Sequence, residues 1–386
     1  MKKTLSAALC AFILASFIAC GQQTDGAPIS TSAPDDPGET TGEAAETEPE
    51  LKSTLPDDLD FGNREVPVIH FGWNSATLYD AEGDNTGDVI RDAVYNRNLL
   101  TEERLKVKFA WSSGSDDWGG YPDQLHKMIL AADCPYNMFM LESSQCFRLS
   151  LQGDFQEITD LPYVDLEQPW WYTRFMNRGS ITPDHKFFLT GAFSVTTLEG
   201  ASCAVVNKTM FDSYFGDYNE LYDMVEAGGW TYDKFTEYCA AVYKDLNGNS
   251  EKDMEDQFGF INEGQRTINY LSMSTGLEYI TRDENGLPQM DLYNDKTIKW
   301  VDTLYNLIYN DYYSFSPKGG EGAPDHFVDG RTLFYTGMLS YYTSEKLRSM
   351  EIPKGVVPHP VLEEGLEYVS AAGTVNGESV VIPVTT

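Results

Sequence analysis

The densest set of chemistry-bearing residues lies in Asp245-Leu-Asn247-Gly-Asn249-Ser-Glu251-Lys-Asp253-Met-Glu-Asp256, where oxygen side chains recur at alternate positions. That is the ligand rhythm of a hard-cation loop of the EF-hand type: positions 1, 3, 5 and 9 by side chain, 7 by backbone carbonyl, 12 by carboxylate. The expected ligand set for a structural Ca2+ is therefore Asp245, Asn247, Asn249, Glu251 through its carbonyl, Asp253 and Asp256. Two residues depart from the pattern. Ser250 stands where the sharp turn takes glycine, and Asp256 is shorter than the Glu that gives two oxygens at once. The same residues read equally as a solvated acidic turn.

Aromatic planes beside carboxylates and amides offer a second chemistry, that of sugar binding. Sugar rings present apolar C–H faces to aromatic side chains, and their hydroxyls pair with Asp, Glu, Asn or Gln. Trp73, Trp111, Trp118, Trp170, Trp171, Tyr335 and Tyr341 sit in or beside expected loops, with Asn74, Glu142, Ser143 and Glu199 as polar companions. Trp170 and Trp171 read either as a sugar platform or as packing near a hinge. Trp230 reads as a plug at the base of a helix.

Catalytic signatures are absent. The sequence has no Gly-x-Ser-x-Gly, phosphate loop, His-Glu-x-x-His or Cys-x-x-Cys, and His70, His126, His185, His326 and His359 are dispersed. No catalytic residue is nominated. A carboxylate pair of the glycosidase kind is the one enzymatic alternative the composition leaves open.

The elements that must position these groups follow from periodicity. Thr231 caps an expected helix whose stripe is Phe235, Tyr238, Cys239, Val242 and Tyr243; the acidic loop follows it, then a short strand ending at Phe260. Earlier, 66–73, 105–111 and 137–141 read as buried strands, with helices over 87–103 and 121–132 between them. Alternating strand and helix is the doubly wound pattern, in which ligands lie beyond the strand carboxyl ends. Those ends offer Trp73 and Asn74, Trp111, and Glu142 with Ser143. Further strands are expected over 186–193 and 203–207. Over 296–309 the spacing predicts an amphipathic helix with Ile298, Val301, Leu304, Tyr305 and Ile308 on one face.

Composition sets the limits. The chain has 386 residues and a formal net charge of −33, which repels phosphates and excludes nucleic acid as partner. Neutral solutes and divalent cations suit it. Hydrophobic content of 41% and aromatic content of 13% support well-buried cores. Met1 to Cys20 has Lys2 and Lys3 before an apolar run, the plan of a secretory signal. Phe17-Ile-Ala-Cys20 resembles a bacterial lipobox, with Phe17 in place of the usual Leu; an ordinary cleavable signal is the alternative. Residues 22–60 carry eleven acidic side chains and one basic, and cannot bury enough surface to fold. They read as a tether. Among Cys134, Cys146, Cys203 and Cys239, export permits a bridge between Cys134 and Cys146, and buried thiols are the alternative.

Several of these stretches together resemble extracellular solute-binding proteins of family 1, the lipid-anchored receptors of carbohydrate ABC importers. They are the Trp230-Thr231 helix start with its acidic turn and aromatic strand, Thr86 to Asn98, the Pro169-Trp170-Trp171-Tyr172 cluster, Ala204 to Lys208, Asp325 to Tyr335, Gly355 to Pro360, and Ser379 to Pro383. The resemblance implies an α/β, two-lobed periplasmic-binding-protein-like fold of type II, with doubly wound sheets joined by hinge strands. It further implies lipidation at Cys20, ABC permease subunits as partners, contact with the membrane through the lipid anchor only, a monomer, and a place on the extracytoplasmic face of a bacterial cell membrane. The expected organisation is signal peptide 1–20, acidic tether 21–62, lobe I 63–192, lobe II 193–372 and a return segment 373–386. Family members continue with helices beyond the Ile-Pro that Ile382-Pro383 resembles, so the C-terminal portion is expected to be lacking. A free-standing calcium-dependent carbohydrate-binding adhesin and a secreted glycosidase are the rival readings.

Overall fold

The computed structural model describes residues 55–72, 88–342, 344–370 and 378–386. Its strands are β1 (Arg64–His70), β2 (Val107–Ser113), β3 (Met138–Glu142), β4 (Ser202–Asn207), β5 (Phe258–Ile261), β6 (Ile280–Arg282), β7 (Pro288–Met290), β8 (Ser314–Phe315), β9 (Thr332–Met338), β10 (Lys354–Val357) and β11 (Glu378–Val381).

They form two sheets, each with its own apolar core, and a small β6–β7 hairpin. The first sheet has the order β11-β3-β1-β2: β1, β2 and β3 run parallel, and β11 lies antiparallel to β3. The second has the order β10-β4-β9-β5-β8, with β5 parallel to both β8 and β9, and β4 antiparallel to β9 and β10. Helices cover these sheets, so β3 and β4 are buried along their whole length, and their sequences are accordingly near-continuous apolar runs.

The expected elements of the first lobe are present, shifted by a residue or two. Helix Val89–Leu105 is capped by Asp88, whose carboxylate accepts from the N–H groups of Ile90 and Arg91, and ends where Lys106 turns left-handed. In the second lobe Thr231 caps helix Tyr232–Val242, accepting from the Lys234 N–H. This helix lies close on β5 at Gly259, where an added Cβ would stand 2.2 Å from the Cys239 Cα. Trp230 is fully buried at its base and donates its indole N–H to the Pro358 carbonyl at 2.9 Å.

Two expectations differ from the structure. Residues 186–193 make only isolated bridges, Leu189 to Val380 and Gly191 to Trp171, because the segment crosses β11 and a loop without running alongside a strand. Over 295–310 the helix is present, with a π-turn from Asn306 to Asn310, but Ile298, Val301 and Tyr305 face outward, each about half exposed. The inward face is Thr297, Trp300, Leu307 and Ile308. Trp300 decides the register by packing against Tyr232, ring centroids 4.7 Å apart with planes tilted by 48°.

The lobes also meet away from the crossings. Arg282, on β6, donates to three first-lobe carbonyls: Asn177 at 2.6 Å, Ser180 at 2.7 Å and Ile181 at 2.6 Å. Ion pairs Arg174–Glu367 and Arg178–Glu278 flank it.

Candidate functional site

Strand polarity locates the site. In the first sheet the carboxyl ends of β1, β2 and β3 are His70, Ser113 and Glu142, and β11 begins on the same side, with Glu378 directly opposite Glu142. The chain leaves this lobe through a short helix, Val195–Glu199, and enters β4 at Ser202. Ser202 pairs with Met338, so β9 ends beside the crossing, and β5 and β8, parallel to β9, end there too. The carboxyl ends of both sheets thus lie on the side of the crossings, where a doubly wound sheet takes its ligand.

On the first lobe Glu142 forms the centre. It is 2% exposed. One oxygen, Oε2, accepts from the Trp118 indole N–H at 2.7 Å and from the Ser144 hydroxyl at 3.0 Å. The other, Oε1, is buried without a hydrogen-bond partner. Burial holds this carboxyl above the ordinary carboxylate range, and the two hydrogen bonds oppose that. Trp118 keeps about half its surface exposed, since the loop 114–120 is built around Asp117, whose carboxylate accepts from the Gly119 and Gly120 N–H groups.

On the second lobe Glu263 follows the end of β5. It accepts from the Tyr335 hydroxyl, and from Arg266 at 3.3 Å; Arg266 also donates to the Tyr341 hydroxyl. Tyr270 and Met338 pack with Tyr341. Burial, and then the Glu263 charge, keep Tyr335 protonated far above the ordinary phenol range. This edge presents aromatic surface with hydrogen-bonding atoms already held in place, the combination that sugar hydroxyls and ring faces require.

Of the residues singled out in the sequence, Trp118, Glu142, Tyr335, Tyr341 and Glu199 come to these two edges. The helix carrying Glu199 packs beside the turn Leu339–Tyr342, and burial raises the Glu199 carboxyl. Trp111 sits within β2, two residues short of its end, with its ring 5.4 Å from that of Phe109. Ser143 is buried and bonded to the Ser379 hydroxyl at 3.0 Å. Trp170 and Trp171 are 3% and 4% exposed inside the first core, and the Trp171 indole donates to the Asp165 carbonyl at 2.8 Å. Trp73, Asn74 and Cys20 lie outside the described residues. Glu263, Arg266 and Tyr270 were missed. The signal was available, because Asn262-Glu263-Gly264 directly follows a short apolar strand.

The acidic loop folds on itself. Asp245 accepts from the N–H groups of Gly248 and Ser250, Asn247 from Asn249, Asn249 from Glu251, and Asp256 from Leu246 and Asp253. Ser250 adopts a left-handed φ of 64°, the conformation for which such loops use glycine. Asn247 and Asn249 both donate to Asp253. The donor set is all oxygen; the Asp245 and Asp256 oxygens each keep a lone pair after accepting one N–H, whereas Asp253 Oδ2 already accepts two. In the described conformation, however, no group of three or more His, Cys, Asp or Glu side chains among the described residues is arranged to hold a metal ion. Cys134, Cys146, Cys203 and Cys239 are free thiols.

No protein-family model matches the chain. No curated protein matches it either. Solved structures do. The galacto-N-biose-/lacto-N-biose I-binding protein of an ABC transporter from Bifidobacterium longum, in complex with lacto-N-biose, superposes with a TM-score of 0.54 at 11% identity, over 84% of this chain and 71% of that one. UgpB from Mycobacterium tuberculosis, in complex with glycerophosphocholine, gives 0.52 at 12% identity, over 83% and 70%. An ABC transporter solute-binding protein from Thermotoga lettingae, bound with α-D-tagatose, gives 0.50 at 14% identity, over 84% and 73%. The likeness is one of fold: the chain has the two-lobed α/β architecture of these binding proteins.

Proposed function

We propose that the protein is an extracytoplasmic receptor that captures a neutral solute, a sugar or oligosaccharide, and delivers it to an ABC importer. The observation that carries this reading is the pair of aromatic and carboxylate clusters, Trp118 with Glu142 and Tyr335 with Glu263, at strand ends on the crossing side of both sheets. Solute between them would be gripped from both lobes, and closure would present one shape to the two permease subunits. The two-lobed fold shared with transporter binding proteins supports the same role. Lipidation at Cys20, a tether that starts at 21, the bacterial membrane's outer face as location and a monomeric state complete the proposal, on the sequence features already described. The tether ends where Leu55, Leu59 and Phe61 pack on the first core, short of the expected 62. Calcium at Asp245–Asp256 is a separate proposal, supported by the left-handed Ser250 and the all-oxygen donor set.

The test is to incubate the protein with a mixed oligosaccharide panel, recording heat of binding and product lengths. Saturable binding without shorter products supports the receptor. Shorter products would establish a glycosidase, and binding that requires calcium and only insoluble glycan would favour a surface adhesin.

A further inference from the structure

The first-lobe edge contains a charge problem that a neutral solute does not solve. Glu142 is almost fully buried, and its Oε1 has no partner. Among the described residues no Lys, Arg or His forms an ion pair with it. Directly across from it in the β3–β11 register stands Glu378, itself fully buried. Opposed residues of an antiparallel pair put their side chains on the same face, with Cβ atoms roughly 5 Å apart, and like charges so placed repel. A buried carboxylate is tolerated when a cation or several donors compensate it. Here Trp118 and Ser144 supply two donors to Oε2, and among the described residues no basic side chain pairs with Glu142. The second lobe's only basic group in its cluster, Arg266, is already engaged by Glu263 and Tyr341.

The Trp118 ring adds a second feature. Its N–H is fixed on Glu142, so the half-exposed indole is held beside the carboxylate. An indole face attracts a cation through its quadrupole, more strongly than the other aromatic side chains do. Carboxylate oxygen and aromatic face together suit an ammonium group better than a hydroxyl, which would satisfy Oε1 and leave the charge.

We propose that the solute carries an ammonium group, and that Glu142, with Glu378 across from it and the Trp118 ring beside it, receives that group. This rests on the receptor reading and narrows it from sugars at large to amino sugars. The second-lobe cluster of Tyr335, Glu263 and Tyr341 then holds the hydroxylated remainder.

The experiment uses the full chain and pairs of sugars differing by one group: glucosamine against glucose, galactosamine against galactose, and the β-1,4-linked glucosamine dimer against cellobiose. Titration calorimetry at about pH 6 keeps the amines protonated. The expected result is that at least one amine binds tenfold or more tighter than its neutral counterpart. Glu142→Gln should bring that pair to within about threefold, and Glu378→Gln should weaken the amine less. Melting curves of both variants confirm that they fold; the carboxamides keep size and shape. A second expected result is that affinity for the amine falls as pH is lowered in the wild type, as Glu142 takes up a proton, and does not fall so in Glu142→Gln. Neutral sugars binding as tightly as every amine would overturn the inference while leaving the receptor reading intact. No binding by any sugar, in a protein that melts cooperatively, would overturn both.

Discussion

Arg282 is the place where removal of one side chain should alter the relation between the lobes. Its guanidinium spans from the β6–β7 hairpin to three carbonyl oxygens at 2.6–2.7 Å, all on the first lobe. A hydrogen bond from a charged donor contributes about 1.5–3 kcal/mol, and the half-buried setting argues for the lower figure. Three such bonds, less about 1.5 kcal/mol of side-chain freedom lost in ordering the arginine, leave about 3 kcal/mol. That is a shift of roughly a hundredfold in any equilibrium between joined and separated lobes. The flanking pairs Arg174–Glu367 and Arg178–Glu278 have half-exposed partners and contribute little. Arg282→Ala should therefore enlarge the radius of gyration of the solute-free protein in small-angle scattering and separate its melting into two calorimetric transitions. Arg178→Ala should do neither. An unchanged scattering curve and a single unshifted transition for Arg282→Ala would refute the reasoning, as would an equal effect from Arg178→Ala.

Three other perturbations follow from burial and the acidic loop. Trp170 and Trp171 lie inside the first core, so the double replacement by Ala should cost several kcal/mol and lower the melting temperature sharply; a normally melting double mutant with solute affinity lost would instead make them a solute platform. His359 is buried with both ring nitrogens unpartnered, and burial depresses its pKa to about 3, while burial together with Arg331 depresses that of His326 to about 4. Since the unfolded chain protonates near pH 6.5 and the fold refuses the proton, their contribution is complete above that pH and lost as pH falls toward 4. His359→Leu should accordingly raise stability at pH 5 by about 2 kcal/mol relative to its effect at pH 7.5, read from denaturant midpoints; equal effects at both pH values would contradict this. If the acidic loop holds calcium, millimolar calcium should raise the melting temperature and Asp245→Ala should erase the rise; an unmoved melting curve leaves the loop as an acidic turn that Asp245 caps by itself.

Much of the fold was legible because strands and helices alternate with clear punctuation. The β1–β3 region and the Thr231-capped helix reflect local rules that tertiary packing does not override. Periodicity alone misplaces the inward face of the helix at 295–305 because apolar residues occupy both of its faces. Trp300 and Leu307 compete with Val301 and Tyr305, and partners far away in sequence, the Tyr232 ring and the Ser272 hydroxyl that accepts from the Trp300 indole N–H, decide between them. The segment 186–193 has a strand's composition but no neighbour to run beside, which no local pattern encodes. The site was half legible. The strand-end rule points to Glu142 on the first sheet, whereas Glu263 and Arg266 stand out only once β5 is placed between β9 and β8 with its carboxyl end at the crossing. That Trp118 would donate to Glu142 depends on a loop closing over 24 residues of sequence separation.

The position of β11 bears on the order in which the protein assembles. Strands β4 to β10 of the second sheet and its hairpin lie within 202–357, whereas the first sheet needs β11, from 378–381, beside β3. A chain made from its N-terminus therefore completes the second sheet's strands first, while the first lobe waits as a partial sheet with one β3 edge unpaired. Closing β3 onto β11 is a long-range step whose entropic cost falls once the intervening residues have collapsed into a compact body. The second lobe thus acts as an internal scaffold for the first. A lesion deep in its core, at Trp230 for example, should delay the closing of a sheet it never touches.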